Sequence, residues 1–251
     1  MPTTLTITGR GRLLTPEPYQ GALPWAVLVR DGLVAWVGPL ADAPAADGEL
    51  DLGDALVTPG LVDAHTHPVF AGDRSDEAAA RLAGQPYDGG GILRTVAATR
   101  AAADGELETL VESRLRAQLA AGTTTVEAKS GYGLTAAGEL RHLRILGRAS
   151  DRVPVRVVRT FLGAHASPPG VAGYVDEVIG EMLPAVAAEG LAEFCDVFCD
   201  TGFFSVADGE RILQAAAAHG LGLRIHAEQL ARTGAAELAV RLGATSADHL
   251  E

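Results

Sequence analysis

From Thr58 onward, apolar runs of strand length alternate with helical stretches, and this alternation constrains the fold more than any other feature. The strand-like runs are Gly60 to His67, Thr123 to Lys129, Val155 to Ala164, Ala192 to Cys199, Gly222 to His226 and Thr245 to Leu250. Between them, Leu107 to Ala121, Ala136 to Arg148, Tyr174 to Glu189, Ala207 to His219 and Gly234 to Leu242 read as helices; in the first of these the apolar residues recur near helical spacing. Gly190, Gly220 and Gly243 each follow a helix and precede a strand, where a left-handed cap ends a helix well. Repeated βα units of this kind imply a parallel sheet with helices on its faces.

The opening reads differently. Leu5 to Thr8 alternates apolar and polar residues, and Ala26 to Arg30, Asp31-Gly32 and Leu33 to Val37 form a hairpin signal. Pro39 to Asp51 reads as loop and Asp54 to Val57 as one more strand, so residues 1–57 are expected to be a small all-β piece. A doubly wound sheet would carry a Gly-rich phosphate turn after its first strand. Here that strand runs into Asp63-Ala64-His65-Thr66-His67, and Gly89-Gly90-Gly91 comes later without the G-x-G-x-x-G spacing. A (β/α) barrel is therefore favoured. Eight units take about 250 residues; the 194 that remain after 57 of 251 supply about six.

Composition removes several function classes. A net charge of −12 argues against nucleic acid or an anionic membrane as the main partner. No apolar run reaches the roughly 18 residues of a membrane span, and Met1 to Arg10 lacks the apolar core of a signal peptide. Cys195 and Cys199 fall on one strand, about 13 Å apart at about 3.3 Å per residue, too far for a disulfide. They read as reduced core thiols of a cytoplasmic protein.

The histidines carry the chemistry. His65 and His67, two apart, share one face of the first barrel strand near its C-terminal end, where the active sites of barrels lie. His165, His226 and His249 end later strands, while His142 and His219 sit in helices and are expected to be surface imidazoles. Converging imidazoles suit zinc or iron with a position left for water, and so hydrolysis of a carbon–nitrogen bond. Glu127 and Lys129 alternate with apolar neighbours, face the barrel interior and are expected to pair. Glu228 is expected to point away from Gln229, and Asp248 away from His249.

Leu56-Val57-Thr58-Pro59-Gly60-Leu61-Val62-Asp63-Ala64-His65-Thr66-His67 resembles the opening signature of the metal-dependent amidohydrolase superfamily. Pro68 to Arg74, Glu127 to Leu134, Thr160 to His165, Cys195 to Asp200 and Ser246 to Leu250 narrow the resemblance to its imidazolonepropionase family. It spans residues from about 56 to 251. The resemblance implies an α/β, TIM-type (β/α)8 barrel beside a small β-sandwich, of which residues 1–57 are a part. It implies one divalent or trivalent metal ion, Zn or Fe, held by His65, His67 and His226. It implies hydrolytic ring opening of 4-imidazolone-5-propanoate to N-formimidoyl-L-glutamate, with His249 and Gln229 catalytic and Arg74, Tyr132, His165 and Gln229 contacting substrate. A homodimer is implied as well.

Two departures bear on this. The segment from Tyr87 to Gly91 is shorter than the family's, and the sequence ends before the position of the family's metal-binding aspartate. Residues 1–251 alone are therefore expected to be insoluble or to recruit another chain. The alternatives are another cyclic-amide hydrolase or deaminase of the superfamily, or an inactive truncated fragment.

Overall fold

The computed structural model describes residues 4–16, 19–84 and 91–251. The chain divides into two compact units, Met1–Gly60 and Leu61–Glu251.

In the first unit β1 (Thr4–Gly9), β2 (Trp25–Arg30), β3 (Leu33–Pro39) and β4 (Gly48–Asp51) form one sheet in the order β3-β2-β1-β4. Asp31 and Gly32 join β2 to β3 at φ of 51° and 78°, a mirror-image turn whose twist matches the strands it connects. Trp25 is fully buried beside Val27 and Leu13, with its indole N–H donating to the Gly11 carbonyl at 2.8 Å. The stretch Pro39 to Asp51 is not all loop. Its last four residues are β4, which pairs in parallel with β1 from Leu5↔Gly48 to Thr8↔Asp51. Four residues, two of them acidic, carry no alternation; pairing with β1 makes this strand. Asp54 to Val57 forms no strand, and Val57 makes only a bridge to Leu13.

The second unit is a parallel sheet of β5 (Leu61–Thr66), β6 (Thr123–Lys129), β7 (Arg156–Ala164), β8 (Phe194–Cys199), β9 (Gly222–Ala227) and β10 (Ser246–His249), in sequential order. His65 on β5 and His249 on β10 belong to opposite edges of that sheet, yet their ring centroids lie 5.0 Å apart. The sheet is therefore curled, with the C-terminal ends of its edge strands meeting.

Between β5 and β6 come α1 (Ser75–Leu82), α2 (Gly91–Ala101) and α3 (Asp104–Ala120). The first two are not visible as an apolar pattern. α1 is rich in alanine, and α2 buries Thr95 and Thr99 beside Ile92 and Val96, so half of its inner face is polar. Tyr87, Gly89 and Gly90 lie outside the described residues. α4 (Ala136–Ser150) follows β6, α7 (Val206–Ala218) follows β8 and α8 (Ala235–Leu242) follows β9. The stretch after β7 is not one regular helix. It is α5 (Tyr174–Glu177), a π-helical turn (Val178–Met182) and α6 (Leu183–Ala188). Pro184, near the start of α6, has no N–H to give the preceding turn, which accounts for the irregularity at this point. Val126, Phe161, Val197 and Ile225 of the strands pack with Leu115, Leu146, Ile212 and Leu238 of the helices in one buried cluster. Cys195 and Cys199 are buried free thiols within it. Among the described residues no helix is long and apolar enough to cross a membrane.

His142 is not a surface residue. It is fully buried on the inner face of α4 with Leu143, Ile145 and Leu146, and neither ring nitrogen has a hydrogen-bond partner. Burial, with Arg141 nearby, pushes its pKa down to about 4. An unfolded histidine titrates near 6.5, so the unfolded chain binds the extra proton first as pH falls. His142 is thus compatible with full stability above pH 6.5 and costs stability as pH drops from 6.5 towards 4. His142→Leu should flatten that acid limb by roughly 3 kcal/mol, read from urea unfolding at pH 7 and pH 4. Equal acid losses in both proteins would contradict it. His219, by contrast, is exposed at the C-cap of α7.

Candidate metal centre and substrate pocket

Three imidazoles converge where β5 and β9 end. His67 Nε2 lies 3.2 Å from His65 Nε2 and 3.3 Å from His226 Nε2. The far side of two of these rings is fixed by carboxylates: His65 Nδ1 is 2.9 Å from Asp248 Oδ2, and His226 Nδ1 is 3.0 Å from Asp196 Oδ1. A carboxylate only accepts, so these Nδ1 atoms carry the protons and both Nε2 atoms turn bare lone pairs toward His67. Three imidazole nitrogens this close repel one another unless a proton or a cation lies among them. Ligands of tetrahedral zinc at about 2.0–2.1 Å are separated by about 3.4 Å, close to both distances observed.

The charge around the rings points the same way. Lys129 Nζ lies 2.7 Å from Asp196, 2.8 Å from Glu127 and 3.8 Å from Asp248, and the Lys129, Glu127 and Asp196 side chains are buried. One ammonium thus faces three carboxylates, a deficit that a divalent cation among the imidazoles would cancel. The donor set therefore fits a metal ion, with His65, His67 and His226 as candidate holders. His249 also lies close: one ligand atom from each of His65, His226 and His249 falls within 4.8 Å of the others. The 3.2 and 3.3 Å separations favour His67 over the exposed His249 as the third ligand.

Electrostatics keep these groups in the states such a site needs. Burial, reinforced by neighbouring His165 and His226, holds the His67 pKa well below the ordinary value, and burial also lowers that of His226. Burial opposes charge on Asp196, but His226 and Lys129 outweigh it and hold the carboxyl well below its usual range. Burial likewise disfavours the Lys129 ammonium, and Asp196 and Glu127 more than restore it. His249 is pushed down to about 4 by burial and by His226 and His65, and His165 to about 3 by burial first and His226 second.

A cavity of about 290 Å³ opens onto the three rings. Arg74, Tyr132, His165, Gln229 and His249 line it, so every sequence-predicted site residue shares one space with the histidine cluster; Ile92 and Phe198 complete the wall. Each is placed by local structure. Arg114 of α3 donates to the Pro68 and Phe70 carbonyls at 2.6 and 2.7 Å, pinning the loop that leads to Arg74. Arg74 itself donates to Glu77. Tyr132 sits in the loop after β6, which Glu139 of α4 organises by accepting from the N–H groups of Gly131, Gly133 and Leu134, each at 2.8 Å. Gly131 has φ of 112°, and a Cβ there would lie 3.0 Å from both the His165 ring and the Leu162 carbonyl, so only glycine fits. His165 Nδ1 is 3.0 Å from the Gly131 carbonyl, and its ring stacks on His67 at 4.8 Å. Asp200 accepts from the backbone of Gln229, Leu230 and Ala231, holding the loop that carries Gln229.

Asp248 corrects the sequence expectation. It does not point away from the centre, because His249 has φ of 79° and leaves the extended conformation. Strand alternation ends at that residue, and both Asp248 and His249 reach His65. Glu228 does turn elsewhere, accepting from Gly234 N–H at 3.2 Å. Sequence reasoning missed Glu139 and the grip of Asp196 on His226. Glu139 had one visible sign, an acidic residue in the first helical turn after a glycine-rich loop. Asp196 had its place in the Cys195 to Asp200 motif, but nothing local pointed to its partner 30 positions away.

No family model matches the chain. Similar curated proteins do. The chain is 49% identical over 247 residues to an imidazolonepropionase of Paraburkholderia phymatum, covering 94% of this chain and 61% of that protein. Against that of Saccharopolyspora erythraea it is 49% identical over 250 residues, 98% and 62% of the two chains. Against that of Haloarcula marismortui it is 50% identical over 238 residues, 90% and 57%. The chain thus spans about three fifths of the length of these relatives. Among solved structures, a triazine hydrolase from Arthrobacter aurescens superposes with a TM-score of 0.68 at 16% identity, covering 96% of this chain and 55% of that one. A 5-methylcytosine deaminase from Klebsiella pneumoniae gives 0.67 at 14%, covering 95% and 56%. These structures share the fold, the amidohydrolase type of (β/α) barrel. Near-complete alignment at about half identity, on that barrel, makes these imidazolonepropionases relatives of the chain over about three fifths of their own length.

Proposed function

We propose that the protein acts as an imidazolonepropionase, adding water across the ring C–N bond of 4-imidazolone-5-propanoate to give N-formimidoyl-L-glutamate. The observation that carries this reading is the shared cavity, which sets a guanidinium and a phenol beside three converging imidazole nitrogens. Zinc or iron held by His65, His67 and His226 would act as a Lewis acid toward the ring carbonyl and lower the pKa of water.

The remaining work falls to the chain's own side chains. Arg74 binds the propionate through two parallel N–H donors, a pairing a lysine could not reproduce. Tyr132 donates its O–H to the same end of the substrate. His165, neutral because it is buried, offers its Nε2 to the imidazolone ring while Nδ1 stays on the Gly131 carbonyl. His249 orients the attacking water, accepts its proton and stabilises negative charge on the former carbonyl oxygen. That proton then moves to the ring nitrogen as the C–N bond breaks. Gln229 donates its amide to the ring and fixes its tilt.

Ring opening is followed by loss of imidazolone absorbance with the metal-loaded protein. Arg74→Met should raise KM about 30- to 150-fold, corresponding to about 2–3 kcal/mol for a charge-assisted bidentate pair. His249→Ala should instead lower kcat with KM little changed. A metal-loaded wild-type protein that leaves the imidazolone intact, or wild-type turnover in His249→Ala, would overturn the assignment.

A further inference from the structure

Lys129 has no direct part in the chemistry proposed above, yet it is among the largest fully buried side chains of the protein. It does not line the cavity, and its ion-pair partners among the described residues are the carboxylates of Glu127, Asp196 and Asp248. Two of those carboxylates each hold the Nδ1 of a different histidine. Asp196 is divided between them: Oδ2 meets Lys129 at 2.7 Å and Oδ1 meets His226 at 3.0 Å, with the His226 N–H also donating to Oδ1 at 3.1 Å. Asp248 uses Oδ2 for both neighbours, 2.9 Å from His65 and 3.8 Å from Lys129. Glu127 ties the same ammonium to β5, since its Oε2 accepts from the Thr66 N–H, between the two histidines, at 3.3 Å.

We propose that Lys129 is a positioning residue which, through Asp196 and Asp248, fixes His226 and His65 as Nδ1–H tautomers with both Nε2 lone pairs aimed at one point. This rests on the metal reading given above. The ammonium anchors one oxygen of Asp196, so the carboxylate plane cannot rotate away from His226. It draws Asp248 inward from β10 and braces β5 through Glu127, so the imidazoles of β5 and β9 are set by one central charge. A methionine of similar length would fill the space and leave the carboxylates unanchored.

The test compares wild type with Lys129→Met, Lys129→Gln and Lys129→Arg, on protein labelled with ¹⁵N-histidine. In metal-free wild type, the ring nitrogens of His65 and His226 should show Nδ1–H and bare Nε2. In Lys129→Met both should become tautomer mixtures, and the zinc dissociation constant from competition with a chromophoric chelator should rise about 10- to 100-fold. Lys129→Gln should behave alike, and carries the comparison if Lys129→Met does not fold. Lys129→Arg, which keeps the charge, should restore at least part of the affinity. Unchanged tautomers and unchanged zinc affinity in both neutral variants would overturn the proposal, as would Nε2–H tautomers in the wild type. Should the wild type bind no zinc at all, the metal reading fails by itself, and the tautomers still decide the part played by Lys129.

Discussion

Asp196→Ala should cost about 3–5 kcal/mol of stability, the largest effect expected of any single truncation in the barrel unit. Asp196 is completely buried, is ion-paired with Lys129 and accepts from the His226 ring and the His226 backbone. Removing it leaves the buried ammonium with Glu127 as its one close partner and the buried His226 Nδ1–H with none. Urea denaturation of the metal-free protein at pH 7 reads the loss. Asp196→Asn keeps the shape and one acceptor oxygen, but must turn its NH2 toward either Lys129 or His226, so a smaller cost of about 1–3 kcal/mol is expected. The sign with pH follows from the lowered carboxyl. Its contribution is present above the unfolded value of 3.8 and is lost only as pH falls below that. A wild-type-like midpoint for Asp196→Ala at pH 7 would show that the buried charges are neutralised some other way.

His67→Ala should abolish stabilisation by metal. Zinc at a free concentration one hundred times its dissociation constant should stabilise the wild type by about 2.7 kcal/mol, and for His67→Ala at the same concentration the shift should vanish. His67 is the cleanest of the three proposed ligands to remove. His65 and His226 are each paired with a carboxylate, so truncating either strands a partner, whereas His67 Nδ1 is buried without one. Its loss also relieves crowding among the imidazole nitrogens, and the metal-free variant should be about as stable as the metal-free wild type. Thermal melts with and without zinc measure both quantities. A zinc shift of wild-type size in His67→Ala would move the third ligand to His249.

Much of this was legible in the chain. The six parallel strands and their helices follow from apolar runs punctuated by glycine, and the candidate histidines fall at or just past strand ends because a barrel gathers those ends together. Residues whose placement depends on long-range pairing were not. β4 is a strand only because β1 lies beside it. His142 reads as polar on a helix, and nothing local shows that its face is covered. Asp248 was assigned to the wrong side because alternation was extended one residue too far, past a left-handed His249 that no local pattern announces. Glu139 and Asp200 serve backbone N–H groups in neighbouring loops, a role that depends on three-dimensional proximity and leaves little trace in periodicity.

The meeting of the sheet's two edges has a consequence for the order of folding. His65 and its partner Asp248 are 183 positions apart, so the contact that fixes the His65 tautomer closes one of the longest loops in the protein. Loop-closure entropy delays such contacts, and the neighbouring βα units, whose contacts are local, gain nothing by waiting for it. The barrel strands can therefore assemble while the metal centre is still unformed. The proposed metal ion, captured once Asp248 has reached His65, would then report that β10 has joined the sheet.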